Sequence, residues 1–258
     1  MARASLTTSN VKVNKVVFVI PSRVVYATIM ANINFIEVLA KLGIQYVPFL
    51  FALCFHEFAH AFVAKKKGDN TAELMGRLTM NPFSHADLIG TFVLPVAGIL
   101  AGIGGMNGGS GFIFGWAKPV PVNGRALKRP KQDMFWIALA GPLSNLILGF
   151  VATFLFVLMR TFTIEASLAN TLQTLLGNFI IINVLLAVFN LIPLHPLDGG
   201  KVIARFIPDS WSRTLENNQA SLQIGLIIFF VAGGFSVLHG PMIFFIGLFE
   251  QIAISLVG

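Results

Sequence analysis

The chain has 258 residues, of which 55% are hydrophobic and only 11% are charged. Soluble domains have about 25% charged residues and could not bury this much apolar surface, so the composition excludes a soluble globular protein. The net charge of +7 is compatible with nucleic-acid binding, but basic residues on the cytoplasmic loops of a membrane protein explain it first.

The first apolar segment, Val16–Leu39, is interrupted by polar and charged residues. It is either a transmembrane helix or a helix that lies in the membrane interface. The next segment, Leu42–Ala64, carries Glu57 as its only formal charge and is long enough to span. The single cysteine, Cys54, lies in this segment, and we expect it to be a buried apolar residue.

The third apolar segment, Leu88–Ala117, is uncharged and contains nine glycines. It either spans the membrane as far as Gly102 and then returns, or it re-enters the membrane from one side. Prolines within Phe112–Val122 disfavour a helix there. We therefore expect this stretch to dip into the protein as a loop or a short β-hairpin.

Three further uncharged segments follow, at Met134–Met159, Ala166–Leu194 and Asn217–Phe249. The last is interrupted by His239-Gly240-Pro241, so we predict two spans joined by a tight turn at that tripeptide. The sequence thus predicts an all-α polytopic membrane protein with about six transmembrane helices and a membrane-embedded loop or short β-hairpin.

Basic residues are clustered near the ends of these segments. Arg160 is the only one that this arrangement would place on the far side of the core. The positive-inside rule makes the side of the others cytoplasmic. The clustered residues are Lys65, Lys66, Lys67, Arg77, Lys118, Arg125, Lys128, Arg129, Lys131, Lys201, Arg205 and Arg213.

His56-Glu57-Phe58-Ala59-His60 matches the pattern H-E-x-x-H. On a helix, positions i and i+4 share a face, so both imidazoles can reach one metal ion. Two neutral histidines suit zinc, and the adjacent glutamate can act as a general base. The alternative is a polar patch between packed helices, although such residues are costly in an apolar span unless they pair or coordinate.

A catalytic zinc usually has three protein ligands and an open position. Asp198 follows the segment that ends at Leu194, and it is either the third ligand or the cap of the next helix at the membrane surface. His60 lies near the three lysines at 65–67, and Asp198 lies three residues before Lys201. Both therefore approach the same membrane face, which predicts a zinc submerged slightly from the cytoplasmic side.

Five motifs in this order resemble the site-2 protease family of intramembrane zinc metalloproteases, in particular its compact bacterial-type members without a PDZ domain. The likeness extends from about Gln45 to the C-terminus. The motifs are HEFAHAFVAKKKGD at His56–Asp69, GRLTMNPFSHADLIGT at Gly76–Thr91, FGWAKPVPVN at Phe114–Asn123, ALAGPLSN at Ala138–Asn145 and NLIPLHPLDGG at Asn190–Gly200.

The resemblance implies that His56, His60 and Asp198 bind one zinc ion per chain. It also implies that Glu57 is the general base for a zinc-activated water. Asn190 would either hold substrate or an oxyanion near the metal, or form an interhelical hydrogen bond. The family's loop that could pair with an extended substrate matches seven residues, Phe114, Gly115, Trp116, Ala117, Lys118, Pro119 and Val120.

Several neighbouring residues receive structural interpretations. The matched Gly141, Pro142 and Asn145 indicate close helix packing, and Pro196 is given a structural role. His195 stands where many relatives of the family have proline. It is either a partner that orients a metal ligand or, as we favour, a surface-facing histidine. His85 lies in a short polar loop and is not assigned to the metal.

We expect a single membrane metalloprotease domain over residues 1–258. It comprises an N-terminal span or interfacial segment at 1–44, a catalytic core at 45–205 and a C-terminal helix pair at 217–257. The expected partners are transmembrane protein substrates and the lipid bilayer, with no nucleic acid, and homo-oligomerisation is left open. The resemblance suggests a multi-pass protein of the bacterial cytoplasmic membrane. The rival functions are a zinc transporter or channel and a non-catalytic scaffold.

Overall fold

The computed structural model describes residues 35–104 and 115–258, and the regular elements within those residues are all helical. The helices are α1 (Phe35–Lys41), α2 (Val47–Lys66), α3 (Thr71–Leu74), α4 (Pro82–His85), α5 (Leu94–Gly104), α6 (Pro130–Met159), α7 (Ala166–Asn190), α8 (Asp198–Ile203), α9 (Asp209–Asn217), α10 (Gln219–Phe229) and α11 (Ser236–Val257). Wider π-helical turns at Leu42–Tyr46, Leu88–Val93 and Phe230–Gly234 lead into α2, into α5 and out of α10.

Four helical stretches of the described residues are long and apolar enough to cross a membrane: Val38–Lys66, Pro130–Met159, Ala166–Asn190 and Ser236–Val257. Two shorter apolar helices occur at Leu88–Leu100 and Gln219–Phe229. This confirms the prediction of an all-helical polytopic membrane protein. Most of the expected span Val16–Leu39, and the stretch in which Leu88–Ala117 would return, lie outside the described residues.

Helix α6 is the central element of the bundle, and it packs against α2, α7, α8 and α11. It begins at Pro130, a residue well suited to the first helical turn because that turn needs no backbone N–H donor. The carboxylate of Asp133 accepts a hydrogen bond of 2.8 Å from the Arg129 N–H and so closes the start of the helix. Helix α6 therefore contacts both α2, which carries His56 and His60, and α8, which carries Asp198.

The apolar core lies between α6, α7 and α11. Its buried residues are Ala152, Ile180, Val184, Val188, Phe230, Leu238 and Phe249. A second, smaller cluster joins α2 to the loop after residue 114 through Phe49, Leu53 and Ala117. These contacts pack α2 and the loop together, and Ile182 of α7 packs against the same cluster.

The predicted turn at His239-Gly240-Pro241 is wrong, because all three residues lie inside α11. The helical segment is interrupted earlier, by a kink at Gly233, whose φ of 99° is a backbone conformation that favours glycine. Pro241 lies only six positions into α11, where it removes one backbone hydrogen bond without ending the helix.

Candidate active site

Helix α2 buries both histidines of the H-E-x-x-H sequence, which are 4% and 8% exposed. The Nε2 atoms of His56 and His60 lie 3.0 Å apart. Each also lies 3.1 Å from Oδ2 of Asp198. One ligand atom from each of the three residues falls within 4.8 Å of the others, and this is the one such group of three or more among the described residues.

Asp198 reaches this position because the chain turns back between α7 and α8. The chain segments before and after that turn pack so closely that a Cβ on Gly199 would lie 2.5 Å from the main-chain oxygen of Leu191. Asp198 is the first residue of α8, after the N-cap residue Leu197, and it is 7% exposed with Oδ2 directed at both histidines. The alternative of a surface cap is therefore wrong.

The other ring nitrogens of the two histidines are held by neighbours from α6. Nδ1 of His60 lies 2.7 Å from the Ile137 carbonyl oxygen, which can only accept, so Nδ1 carries the proton. Nδ1 of His56 lies 2.5 Å from Oδ1 of Asn145. These partners leave both Nε2 atoms directed toward Asp198, as metal-ligating histidines require.

Gly141 provides the space for this arrangement. A Cβ at this position would lie 2.6 Å from the Nε2 atom of His56, which is closer than side-chain carbons approach other atoms. Gly141 therefore does more than allow helices to pack, since it keeps α6 from occupying the volume in which the three ligand atoms meet.

Glu57 follows His56 on α2, and both residues line one cavity. Its Oε2 accepts a hydrogen bond of 3.0 Å from the Val120 N–H, so the residues after position 114 contact the catalytic sequence directly. Residues 115–123 form a loop without regular structure, which is the first of the two predicted alternatives. Phe114, the first residue assigned to substrate binding, lies outside the described residues.

Five other hydrogen bonds fix the loop to the protein, one of them a bond of 3.3 Å from the Arg77 guanidinium to the Pro119 carbonyl. The N–H of Trp116 donates to Gly90 and that of Lys118 donates to His85, at 3.1 and 2.8 Å. The Trp116 carbonyl accepts from the Thr91 hydroxyl at 2.9 Å. The Asn123 N–H donates to the carboxylate of Asp69 at 2.6 Å. The loop is thus fastened along its length.

A cavity of about 610 Å³ opens on the metal-binding group. Its polar lining includes His56, Glu57, His60, Asn190, Asp198, Lys201 and Gln223. Apolar side chains of α7 and α10, among them Leu185, Phe189, Leu226 and Ile227, form much of the remaining wall. The volume and the few convergent polar groups are typical of a binding site.

Asn190 and Pro196 also line this cavity. The amide of Asn190 donates to the Leu186 carbonyl at 2.9 Å, within its own helix, so this contact is not the interhelical bond that was one of the two alternatives. Asn190 therefore combines an anchored side chain with a position beside the metal-binding group.

His195 is 5% exposed, so the prediction of a surface-facing histidine is wrong. The turn between α7 and α8 encloses the ring, and burial lowers its pKa below the ordinary value. His85 is also buried, in α4, where its Nε2 lies 2.8 Å from the Thr79 carbonyl. Cys54 is buried as expected.

Two contacts of the histidines, with the Ile137 carbonyl and with Asn145, were not found from the sequence. The Ile137 carbonyl is a main-chain atom and has no sequence pattern. Asn183, which hydrogen-bonds Asn145, could have been noticed as an amide within the apolar segment 166–194. That segment has four asparagines, so the sequence indicates buried polar partners without identifying them.

The residues present fit a zinc ion. Two imidazole nitrogens and one carboxylate oxygen converge from different elements, and this donor set is one that catalytic zinc sites use. The space beside Gly141 and the cavity leave room for a further position on the metal.

The sequence profile of Peptidase family M50 matches residues 45–169 and 158–232, which is most of the chain. "Putative zinc metalloprotease YwhC" of Bacillus subtilis (strain 168) is 37% identical over 199 residues, covering 76% of this chain and 84% of the relative. "Putative zinc metalloprotease Rip2" of Mycolicibacterium smegmatis is 31% identical over 150 residues, covering 58% of this chain and 52% of the relative.

A shorter match is to "Zinc metalloprotease MJ0392" of Methanocaldococcus jannaschii, 32% identical over 108 residues, or 41% of this chain and 30% of the relative. No solved structure matches the chain significantly. The profile and the relatives agree with the apolar helices and the converging ligand atoms, and the chain belongs to Peptidase family M50, the site-2 protease family of membrane zinc metalloproteases.

Proposed function

We propose that His56, His60 and Asp198 would hold the zinc ion and that the protein hydrolyses peptide bonds within or next to transmembrane segments. The single observation that carries this proposal is the convergence of the three ligand atoms in a buried cavity. Zinc, when bound, polarises a carbonyl group and makes water acidic enough to attack it near neutral pH.

Glu57 serves as the general base. It neighbours a ligand on α2, lines the cavity and is absent from the group of converging ligand atoms. The hydrogen bond from Val120 fixes one carboxylate oxygen and leaves Oε1 to take a proton from water and return it to the leaving amine.

The loop residues Gly115–Val120 bind the substrate in an extended conformation. Main-chain groups of Trp116 and Lys118 are bonded to the protein on one side of the loop. Ala117 lies between them and lines the cavity, so in an extended chain its own N–H and carbonyl face the opposite way. An added substrate strand can pair with those groups, and the cleaved peptide bond would then be free of helical hydrogen bonds.

Asn190 contributes a second polar contact to the substrate. One of its two amide hydrogens is engaged by Leu186, and the other is available at the cavity wall. We assign it to holding the substrate carbonyl or the charge that develops on it. The apolar wall from α7 and α10 suits the side chains of a transmembrane segment.

The protein is an integral membrane protein, and we propose the bacterial cytoplasmic membrane as its location. The basic loops predicted to be cytoplasmic and the relatives in Bacillus and Mycolicibacterium support this. A metal pathway would need ligands at several depths, whereas the described ligand atoms form one group.

The test compares cells that express wild type, Glu57→Gln or Glu73→Gln. Glu73 is an exposed glutamate paired with Lys65, and it serves as the matched control. New protein N-termini within or next to transmembrane segments are measured by mass spectrometry. General-base catalysis contributes about 100-fold or more, so we expect wild type and Glu73→Gln to produce them and Glu57→Gln to lose them.

Glu57→Gln should keep its zinc, which separates loss of the base from loss of the metal. Equal cleavage by Glu57→Gln and wild type would contradict the assignment of the base. If none of the proteins produced new termini but wild type carried zinc across proteoliposome membranes, the transporter would replace the protease.

A further inference from the structure

Asn183 is a fully buried amide in α7, outside every motif that identified the active site. Its side chain faces α6 between the apolar core and the metal-binding group. A buried amide costs free energy unless its donors and acceptor are paired, so the identity of each partner is informative.

The partners fix which way the Asn183 amide points. Its Nδ2 donates to the Phe179 carbonyl of its own helix at 2.8 Å. Its Oδ1 is then the end directed at α6, where it accepts a hydrogen bond of 2.9 Å from Nδ2 of Asn145. The backbone of α7 thereby sets the orientation of the first amide in the series.

The second amide, Asn145, is fixed in turn. Its Nδ2 has two hydrogens, and both have acceptors, the oxygen of Asn183 and the Ala52 carbonyl at 3.1 Å. Reversing this amide would place its oxygen against two oxygens. Its Oδ1 must therefore face His56, whose Nδ1 lies 2.5 Å away.

An oxygen acceptor at this distance requires that Nδ1 of His56 carries the proton. The lone pair of the neutral ring is then on Nε2, the atom that faces His60 and Asp198. The hydrogen-bond chain from Phe179 through Asn183 and Asn145 thus selects the tautomer of His56 that can bind a metal.

We propose that Asn183 is a positioning residue for the zinc centre, acting through Asn145 on the tautomer and ring orientation of His56. The inference rests on the proposed assignment of His56 as a ligand. Without the Asn183 oxygen, one hydrogen of Asn145 loses its acceptor, and only the Ala52 carbonyl then opposes the reversed amide, which becomes more populated. The reversed amide would present N–H groups to Nδ1 and favour the tautomer whose Nε2 is protonated and cannot coordinate.

The experiment measures zinc affinity by competition with a chelator, on purified protein in detergent, for wild type and three single variants. Asn183→Leu keeps the volume and removes the acceptor. Asn183→Asp keeps an oxygen that can accept from Asn145. Thr153→Val is the matched control, since Thr153 is a buried residue of α6 whose hydroxyl donates, within the described part of the chain, to the Gly149 carbonyl of its own helix.

Loss of an indirect partner of a metal ligand typically lowers affinity by about 10- to 100-fold. We expect that loss for Asn183→Leu. We expect zinc affinity near that of wild type for Thr153→Val, and also for Asn183→Asp, which keeps the acceptor. Because Asn183 acts through Asn145, the double variant Asn145→Leu with Asn183→Leu should bind zinc as weakly as Asn145→Leu alone. A residue with only a packing role would add its own loss instead.

Wild-type zinc affinity in Asn183→Leu, or additive losses in the double variant, would overturn the inference. If Asn183→Leu does not fold, Asn183→Ala enters the same comparison, because it removes the acceptor without adding an apolar branch. Wild-type protein that bound no zinc would instead overturn the ligand assignment, so the two failures are distinguishable.

Discussion

At the residue scale, the site depends on a position that has no side chain. Gly141 faces the nitrogens of His56 and His60 from α6, and the nearest of them would contact any added carbon. A packing glycine and a glycine that makes room for a metal look identical in sequence, because both occur on the buried face of a helix.

Gly141→Ala should therefore lose most of its bound zinc, because the methyl group and the ligand atoms compete for one volume. The control is Gly177→Ala in α7, where an added Cβ meets nothing within 4 Å and helix propensity gains about 1 kcal/mol. Zinc content and thermal unfolding are measured for both variants. Full zinc occupancy in Gly141→Ala would show that α6 does not restrict the site.

His56, Glu57 and His60 could be predicted because their spacing acts within a single helix. Asp198 could be suggested, since it ends a span near the same membrane face, but its contact with the histidines depends on how α7 packs. The bond from Asn145 to His56 could not be predicted, because it joins residues 89 positions apart. Local periodicity carries no information about such pairs.

At the element scale, the end of the loop at 115–123 is held by a side chain from outside the membrane-spanning helices. Asp69, just after α2, is 1% exposed and accepts from Asn123 as well as from Thr71. Burial alone would raise the pKa of Asp69, but the hydrogen bonds from Thr71 and Asn123 hold that pKa below its ordinary value of 3.8. The Asp69 carboxylate thus joins the end of α2 to the end of the loop.

Asp69→Ala should release the loop. Hydrogen bonds to a charged group contribute about 1.5–3 kcal/mol, so the population with an open loop should rise about tenfold or more. The measurement is the rate of limited proteolysis between residues 115 and 129, with Glu73→Ala as the control because that glutamate is exposed. Equal rates in Asp69→Ala and wild type would contradict the tether.

The sign of the pH dependence follows from the lowered pKa. The contribution of Asp69 is fully present above 3.8, the ordinary value, and it is lost as the pH falls through the lower value of the folded protein. Wild type should therefore protect the loop at neutral pH and lose that protection only in stronger acid, whereas Asp69→Ala should lack it throughout.

The kink at Gly233 shows where element boundaries escape prediction. A glycine next to a proline at 240–241 favoured a turn there, yet the kink occurs at Gly233. Phe230 and Leu238, on either side of that kink, are both buried in the apolar core, a packing arrangement that the sequence does not reveal.

At the scale of the whole molecule, charged residues separate to opposite ends of the bundle. Ion pairs of Lys67 with Asp133 and of Lys131 with Asp209 occur where α2 ends and α6 begins. Arg160 pairs with Glu250 near the other end of α6. The metal-binding group lies toward the first end, as the distribution of basic residues led us to expect, and the cytoplasmic orientation of that end stays a prediction.

The class of all-helical polytopic membrane protein could be predicted because segment length and hydropathy govern it, and four of the roughly six expected spans lie among the described residues. That α2 and α8 meet at one point could be anticipated only from the prediction that His60 and Asp198 lie near the same face of the membrane. How α2 and α8 actually approach each other depends on α6. This helix packs against both, and its Asn145 side chain and Ile137 carbonyl contact His56 and His60.

The most direct test of the account is the zinc content of purified wild type beside His56→Ala and Asp198→Ala. The proposed site joins residues 142 positions apart, so each substitution removes one ligand from a shared ion. We predict about one zinc per wild-type chain and loss or sharp weakening in both variants, with helical content and unfolding temperature retained. Wild-type zinc content in Asp198→Ala would contradict the three-residue site and the catalytic assignment built on it.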